Sequence, residues 1–294
     1  MLLLRHTQTA SAPRRSRRGG IWLSGFLLLF TAAHQWWRQA SYVLLRDFAI
    51  RETESALAHT PFVTSTHFVV YYPPGQKAGA NLVMHIANRA LPFEENNLGE
   101  FPAHRLVIVV YADQQAMNQA VGLPRQDNNI GYQYHGIIDV LSPKAWLGKG
   151  HAANATFQSE GPVPHELGHE LLNLKANGRY PNWFNEGVAQ YEDFQVSGYQ
   201  WITRNNSLTG PLYSMNALNT AFYQLPHQSR AYREGLALVQ YLVTLRGRTG
   251  FHQFLDDIAG GQSFNQALSK VYHLTNQTAL FQAWHQSLNP GTKP

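Results

Sequence analysis

The sequence predicts an α+β fold, with an N-terminal mixed β-sheet and helices over residues 61–160 and a mainly helical half over residues 161–290. Two observations support this prediction. Up to about residue 143, short β-branched runs alternate with segments of helical spacing, as they do in α/β layers. After residue 160 the apolar residues recur mostly at helical spacing. We therefore expect one shared core, with a polar site at the junction of the two halves.

Three runs in the first half predict strands. THFVVYYPP is ended by Pro73 and Pro74, because proline cannot donate a backbone hydrogen bond to a ladder. RLVIVVY is a nearly continuous β-branched run, which is typical of a strand buried on both faces. GIIDVLSP predicts one more strand.

Two helices are predicted among these strands. ANLVMHIANRALPFEENN has apolar residues at helical spacing. DQQAMNQAVG predicts a short helix with Asp113 as its N-cap and Gly122 at its end. The segments FPAHR and GKGHAANATF are predicted to be loops, and the second is a candidate flap over the cleft.

The second half predicts a series of helices. REGLALVQYLVTLRG has helical spacing and is expected to end at Gly247. Glycines and Ser, Thr or Asn capping positions separate three more short amphipathic helices, TGFHQFLDDIAGG, SFNQALSKVYH and NQTALFQAWHQSL. These helices are expected to close the domain.

The positive charge of the chain is concentrated in an N-terminal leader. The formal net charge is +5, from 23 basic and 18 acidic residues. Residues 1–38 contain no acid and six arginines, namely Arg5, Arg14, Arg15, Arg17, Arg18 and Arg38. Without them the chain has 17 basic and 18 acidic residues, so its body is nearly neutral. A nearly neutral body gives no electrostatic case for binding nucleic acid.

An apolar run from Ile21 to about Ala33 follows the first five of these arginines. The arrangement predicts that residues 1–38 are either a cleaved signal peptide or a membrane anchor formed by residues 21–37, and a buried helix of a soluble protein is the third alternative. The first two alternatives place the body outside the cytoplasm, in the periplasm or another extracytoplasmic location, with residues 39–60 as a helical or loosely ordered connector. The chain has no cysteine, which excludes thiolate metal sites and cysteine nucleophiles.

The segment HELGH places three functional side chains on one predicted helix. His165 and His169 are four residues apart, so both imidazoles lie on one helix face and can bind one metal ion. Glu166 lies one position round the helix, beside the ion, where it can accept a proton from metal-bound water. Pro164 suits the first helical turn, and Gly178 suits the end of the helix.

The segment PNWFNEGVAQYED is expected to supply a third ligand. Catalytic zinc sites usually have three protein ligands and one open position. Glu186 lies 17 residues after His169, which leaves room for one helix to end and a second to return. Gly187 and Ala189 are small enough for close helix packing, which would also explain Gly168 inside the first helix.

Together, HELGH and PNWFNEGVAQYE resemble the motifs of the gluzincin zinc metallopeptidases, and most of all those of bacterial peptidase MA-like domains. The resemblance covers roughly residues 60–288 and is specific in these two motifs. It implies a zincin-like fold with the active-site helix at the junction of the two halves. It implies one zinc ion per chain, with His165, His169 and Glu186 as its ligands. It also implies that GIIDVLSP is an edge strand that binds extended peptide by strand addition.

The resemblance further implies hydrolysis of a peptide bond by metal-activated water. Glu166 is the implied catalytic base, which takes a proton from the water and returns it to the leaving amine. The tetrahedral oxyanion needs a further donor, and relatives use a tyrosine or histidine on a later helix. Tyr232 is the candidate for this role and His227 is the second candidate.

These motifs, together with the leader, favour an exported or membrane-tethered endopeptidase that acts on peptides or proteins. One alternative is a non-catalytic, zinc-containing module that binds a cell-envelope partner, but no zinc-holding role requires Glu166. Another alternative is an aminopeptidase, for which Glu160 is a candidate to hold the substrate amine. Glu170 and Glu192 are expected to be hydrogen-bonding partners or solvated charges rather than ligands.

Overall fold

Five strands form one mixed β-sheet in the computed structural model, which describes residues 44–200 and 206–288. In chain order the strands are β1 (Phe62–Thr64), β2 (Phe68–Tyr71), β3 (Leu106–Tyr111), β4 (Gly131–Tyr134) and β5 (Ile137–Leu141). The sheet order is β1-β2-β3-β5-β4; the three central strands are parallel and each outer strand pairs antiparallel. The three predicted strands are therefore confirmed as β2, β3 and β5.

The prediction that GIIDVLSP is an edge strand is wrong. Its strand, β5, pairs with β3 on one side and with β4 on the other. The outer strand is β4, whose sequence GYQY was not predicted to be a strand. A two-residue turn at His135 and Gly136, with φ of 46° and 86°, brings β4 and β5 together as a hairpin.

Helices make up most of the remaining described residues. They are α1 (44–56), α2 (Lys77–Leu98), α3 (Gln114–Val121), α4 (Pro143–Leu147), α5 (His151–Glu160), α6 (Val163–Ala176), α7 (Asn182–Ser197), α8 (Met215–Thr220), α9 (Gln228–Ala259), α10 (Phe264–Tyr272) and α11 (Gln277–Leu288), with a 3-10 helix at Phe222–Gln224. The short helix α3 has the predicted ends, since Asp113 accepts a hydrogen bond from the Ala116 N–H and Gly122 is left-handed. Gly247 also interrupts α9 where the sequence predicts an end, with φ 64° and ψ −174°.

The segment GKGHAANATF is not the loop that the sequence predicts. Only its first residues form a loop, and α5 begins at His151. Phe157 anchors this helix in the core, where it is buried against the edge of the Trp146 ring with centroids 6.0 Å apart. This aromatic contact packs the segment that was predicted to be a flap against the core.

The sheet is buried on both faces, as the sequence of β3 predicts. On one face, alternate residues such as Ile108 join the main core. On the other face, Val107 and Val109 form a smaller cluster against which Ile50 of α1 packs. The helix α1 within the expected connector is therefore part of the folded body.

Glycines bring the central helices into close contact. A Cβ atom at Gly168 of α6 would lie 3.2 Å from the Ala189 Cα of α7, which confirms the close approach expected there. Gly187 serves a different contact, because a Cβ atom at this position would lie 2.4 Å from the backbone oxygen of Gly235 in α9. Helix α7 is thus packed between α6 and α9, and α6 lies at the junction of the sheet and the helical half. This is the predicted α+β architecture.

No helix among residues 44–200 and 206–288 combines the length and the apolar character needed to cross a membrane. The leader predicted over residues 1–38 lies outside the described residues.

Two carboxyl groups are buried together behind α6. Glu94 and Glu192 are fully buried, and Glu192 accepts a hydrogen bond of 2.8 Å from the Asn97 side chain. Burial raises the pKa of Glu94, and the charge of Glu192 raises it further. Burial also raises the pKa of Glu192 to about 8. Glu192 is therefore a buried hydrogen-bonding partner, not a solvated charge.

This buried pair predicts a pH-dependent stability. In the folded chain Glu192 keeps a proton up to about pH 8, whereas in the unfolded chain it loses this proton near pH 4.5. The free energy of unfolding therefore falls as the pH rises from about 4.5 to about 8. We expect Glu94→Gln to raise the free energy of unfolding at pH 8 by about 1–3 kcal/mol, because the amide removes one buried acid. Denaturant unfolding at pH 5 and pH 8 measures the effect. Glu52→Gln, at an exposed position of α1, controls for net charge. Equal pH dependence in the parent and in Glu94→Gln would contradict the prediction.

Candidate active site

The HELGH segment forms the first turns of α6, with Pro164 in the initial turn as predicted. Because they are four positions apart in a helix, His165 and His169 project from one face, and their ring centroids are 4.7 Å apart. Helix α7 places Glu186 opposite this face. The Glu186 Oε2 atom lies 3.4 Å from His165 Nε2 and 3.5 Å from His169 Nε2. The structure therefore brings the three predicted ligands together.

Neighbouring side chains fix the orientation of these groups. The Tyr223 hydroxyl donates a hydrogen bond of 2.7 Å to Glu186 Oε1, which leaves Oε2 directed at the imidazoles. Asn185 Oδ1 lies 2.9 Å from His169 Nδ1. A hydrogen bond from that ring nitrogen leaves Nε2 available as a ligand atom.

The electrostatics of the cluster reflect its burial. Burial acts to raise the pKa of Glu186, but the imidazoles of His169 and His165 hold it well below its usual range. Burial acts to lower the pKa of His169, but the Glu186 carboxylate raises it to about 9. The Glu186 carboxylate and the His169 imidazole thus stabilise each other's charges at close range.

The donor set fits a zinc ion. One ligand atom from each of His165, His169 and Glu186 lies within 4.8 Å of the others. Two imidazole nitrogens and one carboxylate oxygen are ligands that zinc commonly takes, whereas calcium and magnesium prefer all-oxygen sites. Glu186 and His169 are also buried, as expected of ligands with a fixed geometry.

Glu166 lies beside the three-residue cluster and does not belong to it. Its side chain is buried between α6 and the edge strand β4. Burial raises the pKa of Glu166, while the two nearby imidazoles lower it. A carboxylate with a raised pKa is a better proton acceptor than a solvated one, which suits the predicted role of general base.

Gly131 of β4 is required by the position of Glu166. A Cβ atom at Gly131 would lie 2.5 Å from Pro162 Cβ and 2.7 Å from Glu166 Oε1, which is closer than such atoms approach. We expect Gly131→Ala to displace Glu166 and to lower kcat/KM by about 10²-fold with zinc retained. Steady-state kinetics and metal analysis test this.

Gly210→Ala is the matched control, since its added methyl would have one neighbour within 4 Å, at 3.7 Å. Parent activity in Gly131→Ala would show that the contact with Glu166 does not position the base.

A cavity of about 980 Å³ opens over these residues. One wall is the edge strand β4 with the residues before it, and the other walls come from α6, α7 and two tyrosines. Among the described residues that line the cavity there is no lysine or arginine. Its carboxyl groups are Asp127, Glu160, Glu166, Glu186 and Asp193. The lining of the cavity is therefore rich in carboxyl groups around the ligand cluster.

Besides Tyr132 and Tyr134 of β4, two tyrosines from the helical half line this cavity and can donate hydrogen bonds in it. Tyr232 lines it as predicted, and Tyr223, which the sequence analysis missed, lines it too. Burial raises the pKa of both hydroxyls and the Glu186 carboxylate raises it further, so both keep their protons. The second candidate, His227, is the N-cap of α9 and is not among the lining residues. Tyr223 lies in a short 3-10 helix without a motif, so only its tertiary contact reveals it.

Glu170, next to His169, is a hydrogen-bonding partner as expected and not a ligand. Its two carboxylate oxygens accept hydrogen bonds from Arg46 Nε at 3.1 Å and from Gln133 Nε2 at 2.6 Å.

Solved structures of M1 zinc metallopeptidases are similar to the chain at low identity. The enzyme from Deinococcus radiodurans aligns over 80% of this chain and 52% of its own, with 16% identity and a TM-score of 0.46. A mutant of that enzyme aligns over the same shares, with 15% identity and a TM-score of 0.47. A two-domain M1 zinc metallopeptidase mutant bound to L-tryptophan aligns over 76% of this chain and 50% of its own, with 14% identity and a TM-score of 0.43. The chain thus spans about half the length of these structures. No curated protein matches the chain by sequence.

The family of the chain follows from its sequence and agrees with its geometry. The Peptidase MA superfamily model matches residues 93–290, which is more than half of the chain. The matched residues include the whole of α6 and α7, and therefore all three residues of the ligand cluster. The chain belongs to the Peptidase MA superfamily, as the motifs HELGH and PNWFNEGVAQYE predict.

Proposed function

We propose that the protein is a zinc-dependent peptidase that hydrolyses peptide bonds. One observation carries the proposal: His165, His169 and Glu186 converge within 4.8 Å, beside the buried carboxyl of Glu166 and under an open cavity. Membership of the Peptidase MA superfamily supports the same activity. A purely structural zinc site does not need Glu166, so its position favours catalysis over a binding role.

The three clustered side chains would hold one zinc ion per chain. Bound there, zinc would supply Lewis acidity, which polarises a substrate carbonyl and lowers the pKa of a water molecule. Tyr223 contributes by holding Glu186 Oε1 at 2.7 Å, so that Oε2 keeps its orientation towards the imidazoles.

The chain's own residues then move the protons. Glu166 accepts a proton from the water molecule that attacks the carbonyl carbon. The same carboxyl returns the proton to the amine nitrogen as the C–N bond breaks. Tyr232 has a protonated hydroxyl in the cavity and donates a hydrogen bond to the developing oxyanion.

The edge strand β4 is the proposed binding site for an extended peptide. In the described sheet it pairs with β5 alone, and its whole length lines the cavity. A peptide can therefore add as a strand along its outer edge. This arrangement favours internal cleavage of an extended segment, and endopeptidase activity is the proposal.

Aminopeptidase activity is the second candidate, because Glu160 and Asp193 also line the cavity and could bind a substrate amine. Peptides of one sequence with free and acetylated N-termini distinguish the two activities. Cleavage of both forms supports an endopeptidase, whereas cleavage of the free form alone supports an aminopeptidase.

Export is proposed on the leader of residues 1–38, either as a cleaved signal or as an anchor at residues 21–37. Substrates would then be peptides or proteins outside the cytoplasm. Fractionation of cells that express the full chain, with N-terminal sequencing of the product, tests this part.

Metal removal is the direct test of the proposed function. We expect the purified chain to contain zinc, to hydrolyse an unfolded-protein substrate, and to lose this activity when a chelator removes the metal. Adding zinc should restore the activity, because a preformed His and Glu cluster can rebind the ion. Chelator-resistant hydrolysis, or no hydrolysis by zinc-loaded chain over broad peptide libraries, would contradict the proposal.

A further inference from the structure

A buried carboxylate connects the N-terminal helix α1 to the active-site helix α6. Glu170 of α6 is 0% exposed, and its Oε1 accepts a hydrogen bond of 3.1 Å from Arg46 Nε of α1. The guanidinium is itself largely buried, since only 12% of the Arg46 side chain is exposed. A buried ion pair of this kind is costly to break, because removing one partner leaves an uncompensated charge.

The same carboxylate holds the edge strand of the sheet. Gln133 of β4 donates a hydrogen bond of 2.6 Å from Nε2 to Glu170 Oε2. Its Oε1 accepts a hydrogen bond of 2.9 Å from Asn173 Nδ2 of α6. Both atoms of the Gln133 amide are therefore engaged by α6, and both Gln133 and Asn173 line the cavity. This contact ties a strand that has one strand neighbour to the helix with the ligands.

The hairpin between β4 and β5 leaves space for the arginine. A Cβ atom at Gly136 would lie 2.7 Å from Arg46 Cγ and 2.8 Å from Arg46 Nε. Glycine at this turn thus permits the positive φ of the hairpin and also the passage of the Arg46 side chain to Glu170. The turn and the ion pair both require glycine at position 136, so the hairpin that contains β4 packs directly against α1.

We propose that Arg46 is a positioning residue of the substrate cleft: through Glu170 it fixes Gln133, and so holds the edge strand β4 in the place where an extended peptide binds. Arg46 lies outside the matched family segment of residues 93–290, so the support that α1 gives to β4 is a feature of this chain that the family match does not include. The inference rests on the proposed function for its kinetic consequence only. Its structural consequence, that β4 is held in place through Glu170 and Gln133, applies whether or not the chain hydrolyses peptides.

The role predicts a specific kinetic pattern. Arg46 contacts neither Glu166 nor the ligand cluster, so its loss should weaken peptide binding and leave the chemical step largely intact. We expect Arg46→Met to raise KM about tenfold and to change kcat by less than about threefold, with zinc content unchanged. Amide hydrogen exchange in β4 should become faster in the same variant, because the strand loses its connection to α6.

Companion variants separate positioning from general damage. Arg46→Met combined with Glu170→Gln should recover much of the KM and of the exchange protection, because the amide leaves no buried charge and can still accept from Gln133. Arg46→Lys keeps the charge without the Nε donor and should give a smaller rise in KM, which tests the proposal if Arg46→Met fails to fold. Arg51→Met, at an exposed position of the same helix, is the matched control and should behave as the parent.

The KM, the zinc content and the hydrogen exchange of β4 together decide the role of Arg46. A rise in KM with faster exchange in β4, rescued by Glu170→Gln, supports the proposal. Parent KM and parent exchange in Arg46→Met, or equal losses of kcat and zinc, would overturn it. If the parent chain hydrolyses no peptide, the exchange of β4 still decides the role of Arg46, so failure of the proposed function is distinct from failure of this inference.

Discussion

Glu166→Gln is expected to lower kcat by about 10²–10⁴-fold while zinc stays bound at the parent level. Glutamine has nearly the same shape as glutamate, so the packing between α6 and Gly131 is kept. The amide cannot accept a proton at neutral pH, and the proposed transfer from water to the leaving amine is lost. Because Glu166 is outside the ligand cluster, zinc binding should not depend on its charge.

The measurement pairs single-turnover hydrolysis of an unfolded-protein substrate with metal analysis of the same sample. Glu95→Gln is a matched control, because Glu95 lies on α2 and does not line the cavity. Parent rates in Glu166→Gln would exclude this carboxyl as the base. Loss of zinc together with activity would instead place Glu166 among the ligands.

Glu186→Ala is expected to abolish both zinc binding and hydrolysis. The Glu186 carboxylate is the oxygen donor of the cluster, and its Oε2 faces both imidazoles at 3.4 and 3.5 Å. Removing a residue that hydrogen-bonds to a metal ligand typically lowers metal affinity by about 10–100-fold. Loss of Glu186, a ligand itself, should lower zinc affinity by more than this. Tyr223→Phe removes such a partner, the donor to Oε1, and should fall within that smaller range.

Competition with a chelating indicator measures both affinities, and circular dichroism verifies folding. Tyr241→Phe, on α9 and away from the cavity, controls for the loss of a tyrosine hydroxyl. The expected order of zinc affinity is parent, then Tyr223→Phe, then Glu186→Ala. Zinc binding at the parent level in Glu186→Ala would show that a different side chain is the third ligand.

The convergence of the ligand cluster could be predicted because most of it is local. Two histidines four residues apart share a helix face in any α-helix, so His165 and His169 required no knowledge of the fold. Glu186 followed from a short turn and a second helix. Caps and breaks were equally local, and Asp113, Gly122 and Gly247 each act where the sequence indicated.

The parts that could not be predicted depend on contacts between distant segments. The order of the strands in the sheet makes β4, and not β5, the edge strand. The four residues of GYQY are too few for an alternation of polar and apolar side chains to identify the strand from sequence. The HG dipeptide between two short runs was the available signal, since a glycine at a two-residue turn favours a hairpin. Tyr223 contacts Glu186 and Arg46 contacts Glu170, each from an element without a motif, and Arg46 lies 124 positions before Glu170 in the sequence.

The two outer strands of the sheet are short, and this limits aggregation of the folded protein. An unpaired edge of polar backbone is a template on which other chains can assemble and aggregate. Here β1 has three residues and β4 has four, so neither outer strand offers a ladder long enough to hold a second copy firmly. The edge of the sheet at β4 can therefore stay open to a transiently bound peptide without promoting self-association of the native protein at high concentration.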